Sequence, residues 1–196
     1  FFVVRAKPEK RNKILLILST NTYHAYNSWG GGNLYSYKDS FSFHSKRKPV
    51  RVSTRRPFEP CLMSKFPGAP RPTYPQSHEL PPRQQQSRPY FAFSTAESVD
   101  YWTVASGFIG RWEEIFVKFM EKNNFELDYI IQYDLDRDPK ILDSYKLCLS
   151  VGHDEYWSWA EREAVEEWVE RGGNLAMFSG NSVFWQVRFE NDGKTM

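Results

Sequence analysis

The chain has 196 residues, with 26 Lys and Arg against 24 Asp and Glu, 40% apolar residues and 17% aromatic ones. That length suits one domain, or one domain with a large excursion, and the apolar share is enough for a core. No run of 18 apolar residues occurs, which excludes a transmembrane helix.

Phe1-Phe2-Val3-Val4-Arg5 does not read as a signal peptide, and a cytoplasmic location is expected. The turn-like Asn191–Met196 closes the chain with no following element expected, so both ends look cut out of something longer. Two cysteines, Cys61 and Cys148, make no disulfide framework. Cys148 lies in an apolar run, where a small inert hydrophobe is the expected role.

The small net charge hides an asymmetry. Residues 1–93 carry 16 Lys and Arg against 4 Asp and Glu, and residues 94–196 carry 10 against 20. A basic half suits nucleic acid or another anionic partner. Here the basic residues are scattered among prolines rather than set on a helix face. A basic loop over an acidic body is therefore expected, not nucleic-acid binding.

In chain order, Lys13–Ser19 is a continuous apolar run and reads as the first strand, buried on both faces. It leads into 20–35, read as an aromatic-rich loop in which Gly30, Gly31 and Gly32 supply positive φ or let backbone approach a ligand. There is no Gly-x-x-x-x-Gly-Lys, so these glycines are not a phosphate loop. Residues 41–97 read as a long excursion within the domain: residues 49–89 hold ten of the twelve prolines. Val50–Ser53 reads as a short strand inside it.

Order returns near Ser98. Trp112, Ile115, Phe116, Phe119 and Met120 repeat as one face of an amphipathic helix, which ends at Lys122-Asn123-Asn124. Leu127–Tyr133 reads as a strand and Asp134–Pro139 as its polar exit, followed by a short helix through Ile141-Leu142. Residues 146–151 form a third strand, and Gly152 permits a sharp exit. Ser158 with Glu161 makes a capping box for a helix over 159–171 that buries Ala160, Ala164, Val165, Trp168 and Val169. Gly172-Gly173 stops it, and Asn174–Phe178 is a fourth strand.

This alternation predicts a mostly parallel α/β fold, a flavodoxin-like three-layer sandwich in one domain over 1–196. Its strand ends would collect Asn21–Asn27, Asp134–Asp136, His153–Glu155 and Ser179–Asn181 on one edge, where ligands bind in such folds. His153, Asp154 and Glu155 are there either metal ligands, acid/base groups or helix caps. His153 and Glu155 flank Asp154 and on extended backbone point the same way, whereas Asp154 suits a cap.

The turn after the third strand has no Ser or Cys at its apex, which argues against a nucleophile elbow. Neither cysteine has a zinc-type neighbour. Carboxylates and tyrosines are plentiful instead, and such oxygens suit a hard cation, phenolate in particular ferric iron.

Val3-Val4-Arg5, Asn21-Thr22-Tyr23-His24-Ala25-Tyr26-Asn27-x-Trp29-Gly30-Gly31, Leu34-Tyr35, Val52-Ser53-x-Arg55-Arg56-Pro57, His153-Asp154-Glu155-Tyr156-Trp157 and Gly172-Gly173-Asn174-Leu175 with Ser179-Gly180-Asn181 occur in this order. Together they resemble the large subunit of N,N-dimethylformamidase and its relatives. The resemblance implies a catalytic domain like that of class I glutamine amidotransferases without their Cys nucleophile. It also implies one ferric iron per chain, held by two tyrosines and a glutamate, with a His and an Asn nearby.

On that resemblance Glu155 is the carboxylate ligand, His153 an acid/base group and Asn181 a substrate or water contact. Tyr26 is one phenolate; Tyr74 is the expected second, with Tyr35 as substitute and Tyr90 a further candidate. The implied activity is hydrolysis of a linear amide, in which iron polarises the carbonyl and activates water. Implied partners are a small amide substrate, a small accessory subunit and further copies of the chain. The rival reading is a non-catalytic module of the same fold binding carbohydrate or a partner protein.

Overall fold

The computed structural model describes residues 2–27, 29, 33–34, 50–58, 62 and 112–196. Tyr35, Tyr74, Tyr90, Gly30–Gly32, Cys61 and most of the expected 41–97 excursion, with much of the basic half, lie outside these residues. Among the described residues no helix is long and apolar enough to cross a membrane.

Among the described residues, four parallel strands form the central sheet: β1 (Ile14–Leu18), β2 (Leu127–Ile131), β3 (Leu147–His153) and β5 (Asn174–Gly180), in the order β2-β1-β3-β5. β1 explains why both faces must be covered. Leu15 and Ile17 pack into one apolar cluster and Leu16 and Leu18 into the other, all essentially inaccessible to solvent. Burying each such side chain is worth roughly 1.5–3 kcal/mol.

The first cluster is closed by α3 (Gln132–Arg137), a 3-10 turn (Pro139–Ser144) and α4 (Trp159–Glu170) through Leu135, Ile141, Leu142, Ala164, Val165 and Trp168. The second is closed by α2 (Glu113–Lys122) through Val117 and Met120. Helix, sheet and helix make the three layers expected. Cys148 sits in the first cluster, and burial pushes its thiol up to about 12, so it is inert packing.

A second, two-stranded parallel sheet pairs β4 (Tyr156–Ser158) with β6 (Trp185–Val187), two elements the sequence pattern did not show. The expected strand at Val50–Ser53 appears as a short pairing: Val52 and Met196 exchange both backbone bonds, at 2.8 and 2.9 Å. The closing turn is thereby stitched into the fold.

Three expectations are corrected. Thr20–Tyr26 is not loop but helix, α1, starting one residue after β1. Its Thr, Asn and Tyr residues are weak helix formers, and tertiary contacts override that preference: Thr20, Asn21, Thr22, Tyr23 and Ala25 are all buried. The strand expected to reach Tyr133 stops at Ile131, and the supposed polar exit is α3. There Asp134 accepts the Ile131 N–H at 3.1 Å and pairs with Arg5 at 3.1 Å.

The buried helix faces also differ from the apolar pattern. α2 buries Glu113, Val117 and Met120, leaving Ile115 and Phe119 62% and 58% exposed, because Glu113 turns inward to meet Tyr23. α4 buries Glu161 along with Ala164, Val165 and Trp168, while Ala160 and Val169 face solvent. The capping box is as expected: Ser158 Oγ accepts the Glu161 N–H and Glu161 Oε2 accepts the Ser158 N–H, both at 3.1 Å.

Candidate functional site

Because the strands are parallel, their carboxyl ends share one edge, and the site forms at its centre. β1 and β3 are sheet neighbours, yet their connections depart toward β2 and β5 on opposite sides. This is the reversal point at which open α/β sheets bind ligands. α1 follows β1 and delivers Tyr26; the end of β3 delivers His153 and Glu155; the turn after β5 delivers Asn181.

These four side chains meet. The Tyr26 hydroxyl donates to Glu155 Oε2 at 2.9 Å. His153 Nε2 lies 3.3 Å from the same oxygen and 3.3 Å from Asn181 Nδ2. The Tyr26 and His153 rings are tilted against each other with centroids 5.4 Å apart, and Trp112 closes on His153 edge-on at 6.2 Å. Side-chain exposure is 18% for His153 and 5% for Glu155. The carboxylate is thus held in a nearly dry position, beside a somewhat more exposed imidazole.

Backbone geometry explains the convergence. Gly152 takes φ +92°, open to glycine and strained for other residues. A Cβ there would sit 2.8 Å from Trp112 Cβ, so the missing side chain is also what admits the indole. Strand pairing nevertheless continues to His153, opposite Gly180. Asn181 sits at φ +51°, in the left-handed region that Asn tolerates better than most residues. Its turn is braced by hydroxyls: Ser179 Oγ lies 2.6 Å from Ser182 Oγ and 2.8 Å from Ser150 Oγ.

The His153–Glu155 corner is bonded on every side. Thr22 Oγ1 accepts the N–H groups of Glu155 and Tyr156, at 3.0 and 3.3 Å. The Glu155 carbonyl accepts from the Phe184 and Trp185 N–H groups, at 3.0 and 2.8 Å, and the Asp154 carbonyl from Val183, at 3.0 Å.

Asp154 is not the cap of the following helix, a place taken by Ser158. Its carboxyl is fully buried, accepting from Ser150 Oγ at 2.6 Å and Gln132 Nε2 at 3.0 Å. Burial raises it to about 6 despite those donors. Gln132 is the hub below it: its Oε1 accepts the Asn21 N–H at 2.9 Å, and its Nε2 also reaches the Tyr156 carbonyl at 3.1 Å.

Two more acids lie in this layer. Glu113 accepts from the Tyr23 hydroxyl, and burial, seconded by Asp154, holds its carboxyl near 7. Glu161 accepts from Asn21 Nδ2 at 3.1 Å, and burial with the nearby Asp154 charge raises its carboxyl well above the usual range.

Sequence reasoning named Tyr26, His153, Glu155 and Asn181, and the structure brings all four together. It missed Thr22, Trp112, Glu113 and Gln132. The Thr22–Tyr26 spacing of one helical turn was the available signal for the first. The buried polar layer had none, since single polar residues inside periodic segments read as solvent-facing.

The donor set suits a hard cation. Tyr26 Oη and Glu155 Oε2 are oxygen donors converging on one point, as ferric iron prefers. Among the described residues no three His, Cys, Asp or Glu side chains are grouped to hold a metal. A site here therefore depends on phenol oxygen, and the expected second phenolate lies outside the described residues.

A parallel α/β domain with a phenol, carboxylate, imidazole and carboxamide joined at its strand-end reversal point is the class defined by this geometry. The family described as N,N-dimethylformamidase beta subunit-like, C-terminal, matches residues 1–196, and the chain belongs to it. Over 72 residues it is 32% identical to the N,N-dimethylformamidase beta subunit of an Alcaligenes species. Over a like length it is 28% identical to the same subunit of Paracoccus aminophilus. Each match covers 36% of this chain and 9% of the relative, so the aligned part spans under a tenth of those proteins.

Proposed function

We propose that this chain carries the active site of an amide hydrolase acting on small linear amides. The observation that carries the reading is the junction of Tyr26, Glu155, His153 and Asn181 at the reversal point of the sheet. Membership of a family named for N,N-dimethylformamidase supports the choice of an amide over other carbonyl substrates.

Tyr26 and Glu155 would hold a ferric ion, joined by a second tyrosine, Tyr74 or in its place Tyr35. Bound there, the cation supplies Lewis acidity toward a carbonyl oxygen and toward water. The chain's own residues do the rest. The neutral His153 Nε2 accepts from Asn181, and the protonated one donates to Glu155; these two partners let one nitrogen accept a proton and give it up again. It takes the proton of the attacking water and delivers it to the departing amide nitrogen, giving a carboxylic acid and a free amine. Asn181 Nδ2 orients the substrate or the water. Trp112 and Tyr26 flank the imidazole and limit the volume beside it to a small group.

The relatives are beta subunits by name, which supports assembly with another subunit; that this is a small accessory subunit, and that further copies of the chain join it, belongs to the same proposal. A reducing, cytoplasmic setting suits the free thiol of Cys148. The test is amine release from a panel of formamides and acetamides by ferric-loaded protein. Activity should appear in the wild type, fall by roughly 10²–10⁴-fold in His153→Ala, as expected for loss of a general acid–base group, and vanish in Glu155→Ala. Undiminished turnover in His153→Ala would overturn its assigned role.

A further inference from the structure

Glu155 is gripped at two points by one short helix. Tyr26, in the last turn of α1, donates its hydroxyl to the Glu155 carboxylate at 2.9 Å. Thr22, one turn earlier on the same face, accepts the backbone N–H of Glu155 at 3.0 Å and that of Tyr156 at 3.3 Å. We propose that Thr22 is a positioning residue of the site: its hydroxyl oxygen, converged on by two successive N–H groups, fixes where the Glu155 carboxylate stands relative to Tyr26.

Several observations carry this beyond ordinary satisfaction of buried amides. Glu155 lies outside both β3 and β4, and its N–H goes to the Thr22 side chain, whereas the Asp154 N–H just before it still reaches the Gly180 carbonyl of β5, at 3.4 Å. Thr22 is fully buried, leaving no water to replace its oxygen. α1 is tied to the same corner, because Gln132 holds its first turn through the Asn21 N–H and holds the corner through Asp154 and the Tyr156 carbonyl. The distance between Tyr26 and Glu155 is thus set by a rigid triangle of α1, Thr22 and the corner. Valine at position 22 keeps the shape and removes the acceptor; serine keeps the acceptor and removes only a methyl group.

The inference rests on the reading of Tyr26 and Glu155 as site residues, but its test needs neither metal nor turnover. In metal-free protein the Tyr26 hydroxyl proton, bonded to a nearly buried carboxylate, should give a downfield NMR resonance, assigned by its loss in Tyr26→Phe. The Tyr23 hydroxyl, bonded to buried Glu113, supplies a second such resonance that reports on the fold alone.

We expect Thr22→Val to lose the Tyr26 resonance while keeping that of Tyr23, and Thr22→Ser to keep both. A wild-type Tyr26 resonance in Thr22→Val, or its loss in Thr22→Ser with Tyr23 unchanged, would overturn the proposal. Should Thr22→Val fail to fold, Thr22→Ala removes the same acceptor with less crowding and is read the same way. Wild-type protein that shows the resonance yet binds no ferric ion would overturn the proposed function and leave this inference standing.

Discussion

Glu155 and Tyr26 share one hydrogen bond, and their replacements should part company. Tyr26→Phe removes a half-buried hydroxyl whose partner keeps His153 beside it, so stability should drop by only about 1 kcal/mol. Ferric affinity, read by optical titration, should nevertheless fall steeply, because a phenyl ring has no oxygen to offer. Glu155→Gln should likewise lose the ion yet keep its backbone bonds to Thr22, Phe184 and Trp185, so the corner should stay folded by near-UV circular dichroism. A Tyr26→Phe protein that binds iron as the wild type does would remove the phenol from the site.

Two local devices decide where the elements begin and what they carry. Ser158→Ala deletes the capping bond to the Glu161 N–H and should cost about 1 kcal/mol in denaturant unfolding. Gly152→Ala combines a φ of +92° with a 2.8 Å approach to Trp112, and should destabilise by roughly 1–3 kcal/mol while pushing the indole off His153. Quenching of Trp112 fluorescence by His153 should change in that variant; an unchanged spectrum and melting point would show the glycine to be dispensable.

At this same scale lies the boundary of what the sequence discloses. β1 and β3 were legible because uninterrupted apolar runs betray strands covered on both faces, and the Ser158–Glu161 box is a local rule obeyed locally. α1 was not, because nothing in Thr20–Tyr26 favours a helix until Gln132 and Glu161 arrive from more than a hundred residues away to bond Asn21. α2 was found but rotated, since the apolar repeat cannot show that Glu113 is wanted inside by Tyr23. Tyr26, His153, Glu155 and Asn181 were legible as residues through the family's motifs. Their contact was not, because it depends on that hidden helix.

Across the whole molecule, three buried carboxyls beneath the site couple stability to pH. Glu113 stands near 7 when folded against 4.5 for the free group, and Asp154 near 6 against 3.8. For these two the folded state holds the proton more tightly, so the sign is fixed: their contribution is fully present below about 4 and is lost as pH rises toward 7; Glu161 is shifted in the same direction. For Glu113 the loss is of the order of 3 kcal/mol. Glu113→Gln, which can still accept from Tyr23, should flatten the fall in unfolding free energy between pH 4.5 and 7 measured by urea titration. A variant with the wild-type slope would mean that Glu113 titrates normally.

The sheet reversal, the buried acid layer and the α1 grip all serve one point in space, where a phenol oxygen and a carboxylate oxygen lie 2.9 Å apart. Whether that point holds a ferric ion is tested most directly by adding ferric iron to metal-free protein and recording metal content and the visible spectrum, with Tyr26→Phe alongside. The account predicts about one iron per chain and a tyrosinate-to-iron charge-transfer band that is weakened or lost in Tyr26→Phe. A well-folded wild-type protein that takes up no iron, or takes it up with a spectrum indifferent to Tyr26, would contradict it.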